Sequence, residues 1–317
     1  MSLSGVLNVN KPSGPTSFDV VARVRALVGE RRVGHGGTLD PTATGVLLLL
    51  IGKATRIQEY LLDMPKTYRV RICLGAVTDT YDASGRITAR SSWAHLTEDA
   101  IRASADTFVG KIQQVPPPFS AIKIAGKRAY KLARAGETVA LAPRPVNIDR
   151  IDILDYLPPL LSLEVECGKG TYLRSLAHDL GAKLGCGGYV DSLTRLRVGP
   201  FAIEDALTLD ELAAKDRPEI QQMASRWLNL ALDHLPAVTL DASSCRLIWT
   251  GRSLPSALPS FSGLLGATEG QRCQILDTDG HVVAIMRLNA SEGAWKPEKI
   301  LADVSNVPRN LENSRQF

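Results

Sequence analysis

The chain has 317 residues, 44% apolar and 22% charged, which suits about two globular domains and excludes a disordered chain. Its 37 basic and 33 acidic side chains leave a net charge of only +4, but residues 1–200 carry 26 bases and 18 acids while residues 201–317 carry 11 and 15. That asymmetry points one part of the molecule toward a polyanion. The longest aliphatic run, Val46–Ile51, is too short to span a membrane, and the N-terminus lacks the basic and apolar regions of a signal peptide. Five cysteines without a Cys-x-x-Cys pair fit reduced thiols, and the five histidines show no metal-ligand spacing. The expectation is a cytoplasmic protein without a metal or a membrane span.

In chain order, Gly5–Asn10 alternates as a strand and stops at Lys11-Pro12-Ser13-Gly14-Pro15. Thr16 or Ser17 caps a helix whose apolar positions Phe18, Val21, Val24 and Val28 recur at helical spacing. Arg31–Thr38 is Gly-rich and polar. Val46–Ile51 reads as a buried strand and Tyr68–Leu74 as a half-buried one, with Arg69 and Arg71 on its polar face. Thr97-Glu98-Asp99 opens a helix to about Phe108, Ser162–Cys167 reads as a strand, and Leu173–Leu184 as a helix ended by Gly185. Residues 204–232 read as helical with acids near their start. Past Pro236, Cys273–Asp277 and Val282–Leu288 flank the turn Asp279-Gly280, which predicts a small β-rich second domain. The last dozen residues are polar and expected to fray.

The basic excess is concentrated. Lys111 to Arg134 contains Lys111, Lys123, Lys127, Arg128, Lys131 and Arg134 and no acid, with Phe119 and Tyr130 interleaved. Cations that neutralise phosphates and aromatics that stack on bases are the composition of an RNA grip. A solvated basic loop accounts for the charges alone.

The sharpest segment is Gly34-His35-Gly36-Gly37-Thr38-Leu39-Asp40-Pro41-Thr42-Ala43-Thr44-Gly45. Glycines let the backbone pass close to something or take positive φ, and Pro41 stiffens the exit, so Asp40 sits on a rigid corner before a buried strand. By spacing alone an Asp-Pro turn, in which the carboxylate merely caps an amide, is the commoner reading. No Gly-Lys-Ser/Thr follows, so a phosphate-binding loop is a poor fit, and Gly168-Lys169-Gly170-Thr171 fails that pattern too.

These residues resemble the catalytic motif of the TruB family of pseudouridine synthases, whose nucleophile is the Asp of Gly-His-x-Gly-x-Leu-Asp-Pro-x-Ala-x-Gly. Further segments follow in the family's order. Asn10-Lys11-Pro12-Ser13-Gly14 resembles its Lys-Pro-x-Gly element, although members often carry Asp in place of Asn10. Lys66-Thr67-Tyr68-Arg69-Val70 resembles the strand of its active-site tyrosine, and Thr78-Asp79-Thr80 with Asp82 its Thr-Asp-Thr-x-Asp segment. Gln114-Val115-Pro116-Pro117 and Ser120-Ala121-Ile122-Lys123 resemble the start of its RNA-gripping thumb. Gly168-Lys169-Gly170-Thr171-Tyr172-Leu173-Arg174-Ser175 resembles its arginine motif, with Leu193 at the matching position downstream. The resemblance covers about residues 5–200.

It implies an α/β (α+β) fold: a mixed, largely antiparallel sheet flanked by helices. Its catalytic domain would span 1–235 with a thumb insertion at about 111–145. A small PUA-like RNA-binding domain at 236–310 and a tail at 311–317 would follow. The implied activity is a tRNA pseudouridine synthase acting on uridine 55 of the TΨC loop. Asp40 would be the nucleophile and Arg174 its ion-pair partner. Tyr68 would stack on the base and serve as a candidate general base, and Leu193 would wall the pocket. His35 would fill the gap left by the flipped base. Lys11 would support the site floor or contact phosphate, and Lys111, Lys123, Lys127, Arg128, Tyr130 and Lys131 would grip RNA.

The chemistry breaks N1–C1′, turns the retained base and forms C5–C1′. Nothing is gained or lost, so neither cofactor nor metal is expected, and a carboxylate suits a nucleophile that must also leave. Attack at C1′, attack at C6 and a glycal route stay open for Asp40. A stacked uridine must be flipped out, most cheaply from a loop. The expected partner is tRNA alone, bound by a monomer without an obligatory protein partner. Against this stand an RNA-guided dyskerin-like synthase, whose relatives carry long basic tails unlike Asn306–Phe317, and an RNA-folding protein with secondary catalysis. An RNA N-glycosidase would need a second carboxylate, and no spacing pairs Asp79 or Asp82 with Asp40.

Overall fold

The computed structural model describes residues 3–120, the backbone of 123–124 and 127–128, and residues 141–301. Tyr130, Lys131 and the tail 311–317 lie outside the described residues. The chain opens with β1 (Gly5–Lys11), α1 (Ser17–Val28), β2 (Val33–His35) and β3 (Thr44–Ile51). Then come α2 (Gln58–Asp63), β4 (Lys66–Leu74), β5 (Ala76–Thr78), β6 (Ile87–Arg90), α3 (Glu98–Asp106) and β7 (Gly110–Gln114). A two-residue hairpin, β8 (Lys123–Ile124) with β9 (Lys127–Arg128), precedes β10 (Arg144–Leu157), β11 (Leu160–Cys167), α4 (Leu173–Lys183), β12 (Gly188–Val198) and β13 (Phe201–Ala202). Among the described residues β1, β3, β12, β4, β11, β10 and β7 form, in that order, one twisted sheet, with β2 added to β3 and β13 to β12. Every pairing in it is antiparallel except β12 with β3.

The unbroken apolar run of β3 means that both of its faces are covered. Leu47, Leu49 and Ile51 face one core, together with α1 and α4, while Val46, Leu48 and Leu50 face another. β4 alternates instead, with Tyr68, Val70 and Ile72 inward and Arg69 and Arg71 exposed. Thr16 caps α1 through a reciprocal box with Asp19, settling which of the two candidate residues does so. Gly45, at φ +101°, lets β3 meet β12 directly after the Asp40 loop, because a Cβ there would lie 2.2 Å from the Arg195 carbonyl oxygen.

Two long strands escaped the sequence reading. β10 carries register shifts at Ile148/Arg150 and Ile153/Asp155, and β12 at Val190/Ser192 and Arg195/Arg197. Each bulge moves the following side chains to the other face and erases the period of two. Lys111 lies on β7, which pairs with the start of β10 from Gln114↔Arg144 to Gly110↔Ile148, so the main sheet reaches both margins of the expected thumb.

The 204–232 stretch is not one helix. A single 3₁₀ turn at Ile203–Asp205 leads to α5 (Leu209–Ala213) and α6 (Arg217–Leu232). Its acids do capping work: Glu211 closes a box on Thr208, and Asp216 with Glu219 closes another where Pro218 starts α6. Beyond it, β14 (Ala237–Thr239), α7 (Ala242–Trp249), β15 (Leu254–Pro255), β16 (Arg272–Leu276), β17 (Val282–Asn289) and β18 (Ala294–Ile300) form a second sheet of order β14-β16-β17-β18-β15. Val282, Ile285 and Leu301 join Leu228 and Leu232 of α6 in the core beneath β3. The second sheet is thus packed onto the first through α6.

Candidate active site

The Asp40 corner owes its rigidity to the segment before α1. Ser17 Oγ accepts the Leu39 amide at 2.9 Å and donates to the Leu39 carbonyl at 3.0 Å, and the Gly14 amide donates to the Pro41 carbonyl at 2.9 Å. Lys11 is fully buried beneath the corner, and its ammonium donates to the carbonyls of Pro12, Pro41 and Ala43 at 2.7–3.0 Å. All three N–H donors are spent on backbone carbonyls, the arrangement that a support for the site floor requires. Burial first pulls its pKa down to about 8, the Asp40 charge opposing and the Arg195 charge assisting.

Arg174, in the first turn of α4, is buried, and its guanidinium is fully engaged. Nε lies 2.9 Å from Asp40 Oδ2, and Nη2 donates to Asp40 Oδ1 at 3.3 Å. Nη1 donates to the Thr80 carbonyl at 3.2 Å and Nη2 to the Phe119 carbonyl at 3.1 Å. Asp82 Oδ2 lies 3.8 Å from Nη1. Asp82 Oδ1 holds its own turn, accepting from Thr80 Oγ1, the Ser84 amide and Ser84 Oγ. Gln114 and Val115 fix the start of α4: the Gln114 amide group brackets the Tyr172 backbone, and Ser175 Oγ donates to the Val115 carbonyl.

Asp40, Tyr68, Arg174 and Leu193 line one cavity of about 630 Å³, together with Lys66, Phe119, Tyr172 and Arg195. A smaller cavity of about 160 Å³ also borders Asp40 and Arg174, lined in addition by Asp82, Ser84 and Leu193. Burial pushes the Tyr68 phenol up, with the Arg195 charge in opposition, so the phenol keeps its proton at neutral pH. That weighs for stacking over proton abstraction.

The fully buried Arg195 on β12 was not anticipated. It donates to the carbonyls of Val46 at 2.7 Å and Gly37 at 3.2 Å. Lys66 was missed too: it donates to the carbonyls of Leu62 and Met64, and burial, helped by Arg195, lowers its pKa to about 8. Neither had a sequence signal, since a Thr-Arg-Leu-Arg strand and a lysine before Thr67 both read as solvated charge. The Asp82–Arg174 proximity was equally hidden by distance along the chain.

His35 lines neither cavity. Its Nδ1 accepts the Gly37 amide at 3.4 Å, its ring meets Phe18 edge-on at 5.6 Å, and burial first, then Arg195, holds it below the ordinary imidazole range. Lys111 is exposed on the edge strand β7, and Lys123, Lys127 and Arg128 fall on the β8–β9 hairpin. Among the described residues Asp277, Asp279 and His281 form one group able to approach a metal; it is an exposed turn whose Asp277 Oδ1 already accepts two turn amides.

Residues 25–173 match the N-terminal domain of TruB family pseudouridylate synthases, and residues 174–234 match the C-terminal domain of tRNA pseudouridylate synthase B. The chain is 40% identical to the tRNA pseudouridine synthase B of Dehalococcoides mccartyi over 94% of its own length and 96% of that protein. It is 51% identical to that of Thermobifida fusca over 67% of its length and 75% of the relative. Among solved structures it resembles a Cbf5-Nop10-Gar1 complex with a TM-score of 0.69 at 27% identity, over 94% of this chain and 85% of that one. Motif, fold and identity agree: the chain belongs to the TruB family of pseudouridine synthases.

Proposed function

We propose that the protein is a tRNA pseudouridine synthase that converts uridine 55 of the TΨC loop to pseudouridine. The observation that carries this reading is the Asp40 carboxylate held by a buried arginine at the wall of a cavity that Tyr68 and Leu193 also line. The flipped uridine enters that cavity, and Tyr68 stacks on it. Asp40 supplies the nucleophile, N1–C1′ breaks, the base turns without leaving, and C5–C1′ forms. C5 gives up one proton and N1 gains one, so the reaction is an isomerisation. Asp40 keeps the three routes named above, at C1′, at C6 or through a glycal.

The substrate follows from the relatives named tRNA pseudouridine synthase B, at 40–51% identity. The likeness to Cbf5 complexes favours a second reading, a guided enzyme with protein partners, but at 27% identity it is the more distant. The protein acts in the cytoplasm as a monomer without an obligatory protein partner. The second sheet is a PUA-like RNA-binding domain spanning about 236–310, and the basic hairpin at Lys123–Arg128 grips the loop.

The test is to incubate the purified chain, with no guide RNA or added cofactor, with an unmodified tRNA transcript and to map pseudouridine. Product at position 55, abolished by Asp40→Ala, is expected. Product only with a guide RNA would move the chain to the guided branch, and product that survives Asp40→Ala would remove the nucleophile assignment.

A further inference from the structure

Among the described residues, Tyr81 is the single non-glycine with positive φ, at +62°. Left-handed backbone is strained at a bulky residue and persists only where its surroundings impose it. Here the imposition is visible. The Tyr81 ring lies flat on the His178 ring, with centroids 3.9 Å apart and planes 8° from parallel. The Tyr81 carbonyl accepts the Val190 amide, and the Ala83 amide donates to the Val190 carbonyl, so the turn is also tied to β12.

The placement of His178 gives the stack its meaning. His178 follows Arg174 by four residues on α4, so the two side chains occupy one face of the helix. Three successive residues of the turn engage that face. Thr80 presents its carbonyl to Arg174 Nη1, Tyr81 stacks on His178, and Asp82 brings Oδ2 to 3.8 Å from Nη1. Neither Tyr81 nor His178 lines either cavity beside Asp40, so neither touches the substrate space directly.

We propose that Tyr81 and His178 are positioning residues: their ring stack holds Tyr81 in the left-handed conformation that aims the Thr80 carbonyl and the Asp82 carboxylate at Arg174, and so sets Arg174 against Asp40. This rests on the assignment of Asp40 and Arg174 to catalysis. The stack is local and planar, and any flat ring at either position should serve.

The experiment uses the full chain with Tyr81→Ala, Tyr81→Gly, Tyr81→Phe, His178→Ala, His178→Phe and the double alanine variant. Single-turnover pseudouridine formation, tRNA affinity and melting temperature are measured for each, along with the ¹H–¹⁵N signal of the Arg174 guanidinium. Misplacing a reacting group by a fraction of an ångström costs on the order of tenfold or more in rate, so Tyr81→Ala, Tyr81→Gly and His178→Ala should each slow turnover about tenfold with tRNA affinity unchanged. Both phenylalanine variants should restore it, and the double variant should be no slower than either single one. Tyr81→Gly removes the backbone cost along with the ring, so a slow enzyme with an undiminished melting temperature separates positioning from folding. The Arg174 signal should be sharp in the native chain and broadened in the alanine variants, a readout that does not need turnover. Unchanged turnover and an unchanged Arg174 signal in Tyr81→Gly would overturn the proposal, as would phenylalanine variants as slow as the alanines. A native chain that makes no pseudouridine sinks the functional reading instead, and the Arg174 signal then still decides whether the stack positions the guanidinium.

Discussion

Two buried arginines line the cavity, and they are satisfied in different ways. Arg174 faces two carboxylates, those of Asp40 and Asp82, with two carbonyls completing its shell. Arg195 donates to backbone carbonyls and, among the described residues, forms no ion pair with a carboxylate. A guanidinium paired with acids is locally neutral and serves geometry. One paired with dipoles keeps its field, which is why Arg195 helps lower the pKa of Lys11, His35 and Lys66. One wall therefore orients a carboxylate, while the other presents positive potential to whatever polyanion enters.

The largest expected effect breaks the Arg174 wall. Arg174→Ala should cut turnover about 10³-fold while tRNA binding stays within a fewfold, because the carboxylate loses the partner that holds both of its oxygens. Arg174→Lys should rescue little, since one ammonium cannot replace a planar fork bonded on several sides. Arg174 is only 7% exposed, so its removal also costs folding stability by leaving the Thr80 and Phe119 carbonyls without their donor. Single-turnover assays beside thermal melts separate the two effects, and a lysine variant with near-native turnover would remove the geometric role.

Arg195→Met attacks the other wall and should read out mainly as stability. The substitution keeps apolar bulk but strands the Val46 and Gly37 carbonyls, at about 1–3 kcal/mol each when unpaired and buried, or about 4 kcal/mol together. Chemical denaturation measures it. In the same variant the Lys66 pKa should rise from about 8 toward its ordinary value, because the Arg195 charge, the largest cause of its depression after burial, is gone.

These two walls were unequally legible in the amino-acid sequence. Asp40, Tyr68, Arg174 and Leu193 sit in ordered motifs and converge on one cavity. Arg195 and Lys66 sit in stretches whose composition says only that a charge is present. Their burial comes from β12 crossing between β3 and β4, a long-range pairing with two register shifts and hence no period to read. Lys11 illustrates the same limit from the other side: the motif located it, but only the fold reveals that its ammonium ends beneath Pro41 and Ala43. The charge split anticipated a basic region within residues 1–200, and of the six acids of 204–219 three, Glu211, Asp216 and Glu219, prove to be helix caps, with Asp210 adding a surface pair with Arg23.

A pH titration sharpens the contrast further. The Lys66 pKa is lowered from 10.5 to about 8 by burial, so below pH 8 both folded and unfolded chains hold the proton and the whole desolvation cost is present. Between about 8 and 10.5 the unfolded chain still holds a proton that the folded chain has released, so this lysine's contribution to stability rises with pH, by roughly 3 kcal/mol across the window. The difference in stability between the native chain and Lys66→Met should therefore change by about that much from pH 8 to 10.5 and stay flat below pH 7. A difference that does not vary with pH would place an ordinary ammonium at Lys66. The same loss of charge above pH 8 should weaken tRNA binding.

The smallest effect lies at the cavity mouth. Lys169 lines it and pairs with Asp63 at 2.6 Å, but both side chains are more than 60% exposed. An exposed pair contributes well under about 1 kcal/mol, so Lys169→Ala should leave the melting temperature almost unmoved. Its partner is an acid that a phosphate can displace, and a cation that neutralises one phosphate adds about one unit to the salt slope of binding. Lys169→Ala should therefore weaken tRNA affinity a fewfold and reduce that slope by about one, while Asp63→Asn, which frees the ammonium, should shift affinity the opposite way. Equal affinity in both variants at every salt concentration would confine the positive wall to the buried Arg195 and leave the mouth without a part in it.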